Sequence, residues 1–70
     1  MRMRRIESEA ITAVGYDDAS RVLRVRYSSG EEYEYLDVAP ELYRRLVEAQ
    51  PHPWSEMGEE VKGHVWRRPS

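Results

Sequence analysis

Between Val22 and Tyr35 the chain reads "VLRVRYSSGEEYEY", with apolar and charged residues alternating on either side of Ser28-Ser29-Gly30. A period of two sends successive side chains to opposite faces of a pleated strand, so the segment specifies two antiparallel strands. Side-chain direction then selects the loop. A two-residue loop at Ser29 and Gly30 sets Tyr27 opposite Glu32 and Val25 opposite Glu34, mixing apolar and charged groups on both faces. A three-residue loop, Ser28 to Gly30, with Gly30 in the left-handed conformation of a bulge turn, avoids this. It sets Val25 against Tyr33 and Leu23 against Tyr35 on one face, and Arg26 against Glu32 and Arg24 against Glu34 on the other. Each such pair adds about 0.2–1 kcal/mol. The spacing of Tyr33 and Tyr35 is thus that of a half-buried strand, with the glutamates matched to arginines in water. Two aromatics two apart also suit the stacking of successive bases on a sheet surface. A chain of 70 residues without phenylalanine has few large apolar groups to spare, which weighs toward the core.

Upstream, "AITAVGY" at residues 10–16 is a β-branched and small-apolar run followed by the turn cluster "DDAS" at 17–20, so it pairs with the "VLRVRY" strand as a hairpin. In unbroken register Ala10, Thr12, Val14 and Tyr16 share a face and Ile11 is left in water. That forgoes about 1.5–3 kcal/mol. A bulge placed at Gly15 turns Ile11 inward.

Downstream, Pro40 suits a first helical turn and Pro51 forces a stop, giving a main helix from about 40 to 50 with Leu42, Tyr43, Leu46 and Val47 on its apolar face. Glu41 and Arg45 stand in favourable i, i+4 order. "PHPW" at 51–54 reads as an extended connector. Ser55 is an N-cap and Gly63 a C′ residue for a short second helix from about 55 to 62, weakened by Gly58. "HVWRR" at 64–68 is a last strand at a sheet edge. The expectation is one α+β domain over residues 1–70: a small curled antiparallel sheet of three to four strands, one main helix and a short second one.

Seventy residues support a single core worth about 3–5 kcal/mol net, and with no cysteine there is neither a disulfide nor a thiolate metal site to add to it. The basic start "MRMRRIESE" lacks an apolar stretch and no segment approaches a membrane span, which points to the cytoplasm and away from membranes. The net charge of −2 argues against strong electrostatic capture of nucleic acid. Its layout is uneven. Arg2, Arg4 and Arg5 at one end and Lys62, Arg67 and Arg68 at the other flank a middle that holds all thirteen acids and only five arginines.

Taken together, "AITAVGYD", the alternating "VLRVRY", "SGEEYEYLDV", "PELYRRLVEA" and "VKG" before an aromatic-basic tail make a chain that resembles the KTSC domain over about residues 6 to 68. That family is named for its occurrence at the C-terminus of some lysyl-tRNA synthetases and also occurs as small stand-alone bacterial proteins. Its Tyr-x-Tyr falls on Tyr33 and Tyr35. The segment "PHPWSEMGEE" departs from the family's pattern, keeping only Trp54 as an aromatic. What the resemblance implies about activity is RNA binding, through the family's attachment to synthetases.

Catalytic chemistry finds little footing. Ser28 and Ser29 lack a nucleophile-elbow context. His52 and His64, twelve apart with no cysteine, match no standard zinc spacing. Glu59 and Glu60 are adjacent and so diverge on a helix. No glycine-rich phosphate loop occurs. The expectation is a non-catalytic binding domain with no cofactor, metal or small-molecule substrate. If the last strand lies beside the first, Arg4, Arg5, Lys62, His64, Trp66, Arg67 and Arg68 form one basic patch around an aromatic, suited to RNA. The plainer account is that the ends carry solubilising charge and Trp66 closes the core. The alternative function is protein recognition or homodimer formation, by strand addition at an exposed sheet edge.

Overall fold

The computed structural model describes residues 2–6, 8, 10–48 and 53–69, those from 53 to 57 by backbone only. It is an α+β fold with five strands and two helices: β1 Met3–Arg5, β2 Ile11–Asp17, β3 Val22–Tyr27, β4 Glu32–Tyr35, α1 Pro40–Glu48, α2 Pro53–Lys62 and β5 Trp66–Arg67. The strands form one antiparallel sheet in the order β1-β2-β3-β4-β5. Neither helix is long and apolar enough to cross a membrane.

The β3–β4 hairpin has the register that side-chain alternation demands: Leu23 opposite Tyr35, Arg24 opposite Glu34, Val25 opposite Tyr33 and Arg26 opposite Glu32. Gly30 adopts φ +98° and donates to the Tyr27 carbonyl at 2.9 Å, while Tyr27 donates to the Glu31 carbonyl at 2.8 Å. Only glycine takes such a φ at no steric cost, which lets the chain close the hairpin in three residues.

The β2–β3 hairpin corrects one expectation in its detail. The register shifts between Ile11 and Ala13, so the bulge lies at Thr12 and not at Gly15. Thr12 is exposed and its hydroxyl donates to the Arg26 carbonyl at 3.4 Å, giving the extra residue a partner. Gly15 stays in regular register between Met3 and Arg24. The consequence for the core is the expected one, since Ile11, Val14 and Val25 are fully buried. The turn also runs one residue further than "DDAS": Arg21 takes φ 56°, donates to the Asp17 carbonyl and accepts from the Val38 amide.

The sheet has five strands where three to four were expected, because both outer sides of the β2–β3–β4 unit find a partner. β1 carries no β-branched alternation, and it forms because β2 has a second side to pair, with Arg4 opposite Val14 and Arg5 opposite Ala13. At the other edge β5 pairs with β4, Trp66 opposite Tyr35 and Arg67 opposite Glu34, and the Leu36 amide continues the ladder to the Val65 carbonyl at 2.7 Å.

One face of the sheet is the core. Ile6, Ile11, Val14, Leu23, Val25, Tyr35 and Val38 pack with Leu42 and Leu46 of α1 and Val61 of α2. Tyr16 stacks on Tyr43 with ring centroids 5.1 Å apart, and its hydroxyl donates to the Val38 carbonyl, fastening α1's approach to the sheet. Arg45 does not pair with Glu41. It reaches Glu60 on α2 at 2.9 Å, a bridge between the helices with both side chains half exposed.

α1 ends at Glu48 in the structure, and residues 49 and 50 of the expected helix lie outside the described residues. α2 starts two residues before the expected boundary. Pro53 takes its first position, where a fixed φ and a missing N–H cost nothing, so Ser55 is a helical residue and not the cap. Pro53 and Trp54 are likewise helical and not part of an extended connector, whose remaining residues, 51 and 52, lie outside the described residues. Gly63 ends α2 by donating to the Glu59 and Glu60 carbonyls at 3.2 and 3.3 Å, without the left-handed φ of a C′ glycine.

Candidate functional site

On the core face of β3 and β4, Leu23, Val25 and Tyr35 pack with Leu42, Leu46 and Val61 of the helices, and the hairpin end lies beyond them. There Tyr27, Tyr33 and Trp66 gather. Tyr33 meets Tyr27 edge-on at 5.4 Å and Trp66 edge-on at 4.8 Å, both in the favoured range for aromatic pairs. The register explains the cluster: Trp66 is directly opposite Tyr35, which makes Tyr33 its diagonal neighbour on the same face. Trp66 remains 52% exposed, so it does not close the core.

These rings wall an open cleft of about 490 Å³, whose lining also includes Ser28 and Ser29 of the hairpin loop, Glu31 just after it, Tyr35 at its floor, and Lys62 from the end of α2. Tyr27 and Tyr35 share a hydrogen bond between their hydroxyls. Burial first, and that hydrogen bond second, push the Tyr27 phenol well above its ordinary range, so it stays neutral. The Tyr33 hydroxyl donates to Glu31 Oε2 at 3.1 Å, and this contact with a carboxylate is the main reason the Tyr33 phenol is also raised. Arg68 donates to the same oxygen at 3.1 Å, with its guanidinium 5.3 Å from the centre of the Tyr33 ring.

The opposite face of the sheet holds a charge ladder. Glu34 accepts from Arg24 on one neighbouring strand at 2.6 Å and from Arg67 on the other at 2.9 Å. At 7% exposure it is not in water, as the hairpin alone suggests, because β5 closes over its second side. The two arginines hold its carboxyl below the ordinary range. Arg26 and Glu32 form the expected pair at 2.8 Å nearer the surface.

The seven residues expected to form one basic patch are therefore divided by the topology. Lys62, Trp66 and Arg68 come together at the cleft. Arg67, adjacent to Trp66 in a strand, points to the other face and is committed to Glu34. His64 holds the chain, its Nδ1 3.1 Å from the Leu36 carbonyl oxygen. Arg4 and Arg5 lie on β1, at the far edge of the sheet, so the first and last strands are not neighbours. Four strand spacings separate them, about 19 Å across a flat sheet. The physical reason is that β1 fills the free side of β2 while β5 fills the free side of β4. Glu31 was not legible as a site residue, since a loop glutamate after glycine carries no signal of what will face it. Among the described residues no three of His, Asp and Glu gather to hold a metal ion. His52 lies outside the described residues.

Comparison with known proteins fits this architecture. The sequence model of the KTSC domain matches residues 7–52, more than half of the chain. A protein of Tsukamurella paurometabola, described simply as "Protein", is 42% identical over 48 residues, which is 69% of this chain and 72% of its own. An uncharacterised protein of Stutzerimonas stutzeri is 39% identical over 44 residues, 63% of this chain and 62% of its own length. The crystal structure of a KTSC domain protein from Yersinia pestis superimposes with a TM-score of 0.88 at 21% identity, covering 99% of this chain and 97% of that one. The sequence match stops short of the expected span to residue 68, so Lys62, Trp66 and Arg68 lie beyond it while Tyr27 and Tyr33 lie within. On its sequence over residues 7–52, the chain belongs to the KTSC domain family.

Proposed function

We propose that the protein is a non-catalytic, cytoplasmic RNA-binding domain that holds single-stranded RNA against the cleft formed by Tyr27, Tyr33 and Trp66. The observation that carries this reading is a half-exposed tryptophan set beside a half-buried tyrosine at the mouth of an open cleft, with Lys62 and Arg68 at its rim. Unstacked bases bind such ring surfaces at about 1–3 kcal/mol each, and flanking cations track the phosphates. The site is smaller than a patch gathered from both ends of the chain. Its low net charge fits modest affinity with a shallow salt dependence.

Fluorescence anisotropy with labelled single-stranded RNA at several salt concentrations tests it. Trp66→Ala should weaken binding by about 1–3 kcal/mol. Arg68→Ala should weaken it more evenly across sequences and reduce the salt slope by about one. Replacing Arg4 and Arg5 together, on the far strand, should leave the affinity within about twofold at physiological salt, where the Debye length is about 8 Å. Affinity unaffected by Trp66→Ala and Arg68→Ala would remove this site from consideration.

The rival reading, strand addition by a partner protein or a second copy, has the outer edge of β1 to work with. That edge is three residues long and carries Arg4 and Arg5, features that discourage pairing. A concentration-dependent dimer in sedimentation, together with no affinity for RNA, would reverse the preference.

A further inference from the structure

We propose that the cleft selects the base it holds, preferring guanine through the carboxylate of Glu31; this rests on the RNA-binding reading above. Glu31 follows the left-handed Gly30, and its carbonyl accepts from the Tyr27 amide, so the loop fixes where its side chain leaves the backbone. Its Oε2 is occupied twice, by the Tyr33 hydroxyl and by Arg68, each at 3.1 Å. These two donors hold the carboxylate at the wall of the cleft. Oε1 accepts no hydrogen bond among the described residues, and the side chain is about half exposed.

An ionised carboxylate only accepts, with about two lone pairs on each oxygen. Oε2 is therefore filled and Oε1 has room for two donors. Bases in single-stranded RNA are read on their Watson–Crick edges. Guanine is the base whose edge there carries two adjacent donors, N1–H and the N2 amino group. Adenine and cytosine each offer one amino donor beside an acceptor, and uracil sets two carbonyls about a single N–H. For those three, turning the edge toward Glu31 brings a lone pair against the carboxylate. Stacking on the rings gives affinity without choice of base, so Glu31 supplies the choice. A site that leaves one of its own polar groups facing an acceptor rejects that ligand more strongly than lost stacking would.

The experiment uses the intact protein and pentaribonucleotides of uridine whose central position is guanosine, inosine or uridine. The guanosine oligonucleotide should bind about tenfold more tightly than the all-uridine one. Inosine, which lacks the N2 amino group, should fall between them. Glu31→Gln replaces an acceptor pair with one acceptor and one donor, and should reduce the preference to less than about threefold while the all-uridine oligonucleotide still binds. Thermal melting of the variant, expected to match the parent because Glu31 is exposed, separates loss of recognition from loss of fold. Equal affinity for all three oligonucleotides, or an undiminished guanosine preference in Glu31→Gln, overturns the selectivity and leaves the RNA reading standing. No binding of any oligonucleotide overturns both.

Discussion

Glu34 is 7% exposed, yet it is charged, because two guanidiniums from two different strands converge on it. A buried carboxylate without partners would rise in pKa, and the arginines outweigh that desolvation and lower it. The sign for stability follows. A depressed carboxyl stabilises the fold fully above the ordinary glutamate value of 4.5, and its contribution is lost as pH falls through the lower folded value. Glu34→Gln should therefore lower stability at neutral pH by about 1.5–3 kcal/mol, the range for hydrogen bonds to charged groups. The gap between variant and parent should shrink in the acid range below 4.5. Urea denaturation at neutral and at acid pH measures both, and a constant gap across pH would show that the charge is not what Glu34 contributes.

The β3–β4 hairpin is the element whose local code is most complete. Its alternation fixes two faces, and its loop length follows from the need to keep Tyr33 and Tyr35 on the same face as Val25 and Leu23. Gly30 meets that need with φ +98°, and an added Cβ would touch nothing within 4 Å. Gly30→Ala should thus cost about 1–2 kcal/mol through the backbone alone, and Gly30→Asn less, because asparagine tolerates positive φ better. Comparing thermal midpoints of the two variants checks this; equal losses would mean that the loop relaxes to another turn. The neighbouring hairpin was less legible. A bulge somewhere in β2 is required to bury Ile11, but its place at Thr12, where the hydroxyl meets the Arg26 carbonyl of β3, depends on pairing between strands that no reading of β2 by itself contains.

At the scale of the molecule, a small core has little redundancy. Leu46 is fully buried where α1 meets the sheet, and the single core of a 70-residue domain is worth about 3–5 kcal/mol net. Leu46→Ala should cost about 2–5 kcal/mol and leave the protein partly unfolded at physiological temperature. A circular dichroism melt reads this directly, and a loss under 1 kcal/mol would mean that neighbouring side chains collapse into the space. Sheet order has the larger functional effect. It separates Arg4 and Arg5 from the C-terminal cations, yet brings Trp66 to Tyr33 and Arg68 to Glu31 across more than thirty residues of chain.

The sequence by itself determined what period and turn chemistry encode: the paired faces of β3 and β4, the three-residue loop, the apolar stripe of α1 and the inward turn of Ile11. These are contacts between residues close along the chain, where covalent geometry limits the alternatives. Only the tertiary structure decided which strands take the two edges, that Glu34 is enclosed from both sides, and that Tyr27, Tyr33 and Trp66 line one cleft together with Lys62 of α2. Those outcomes depend on which surfaces compete for burial once the sheet exists, and short strands such as β1 and β5 acquire their conformation from the partner they find.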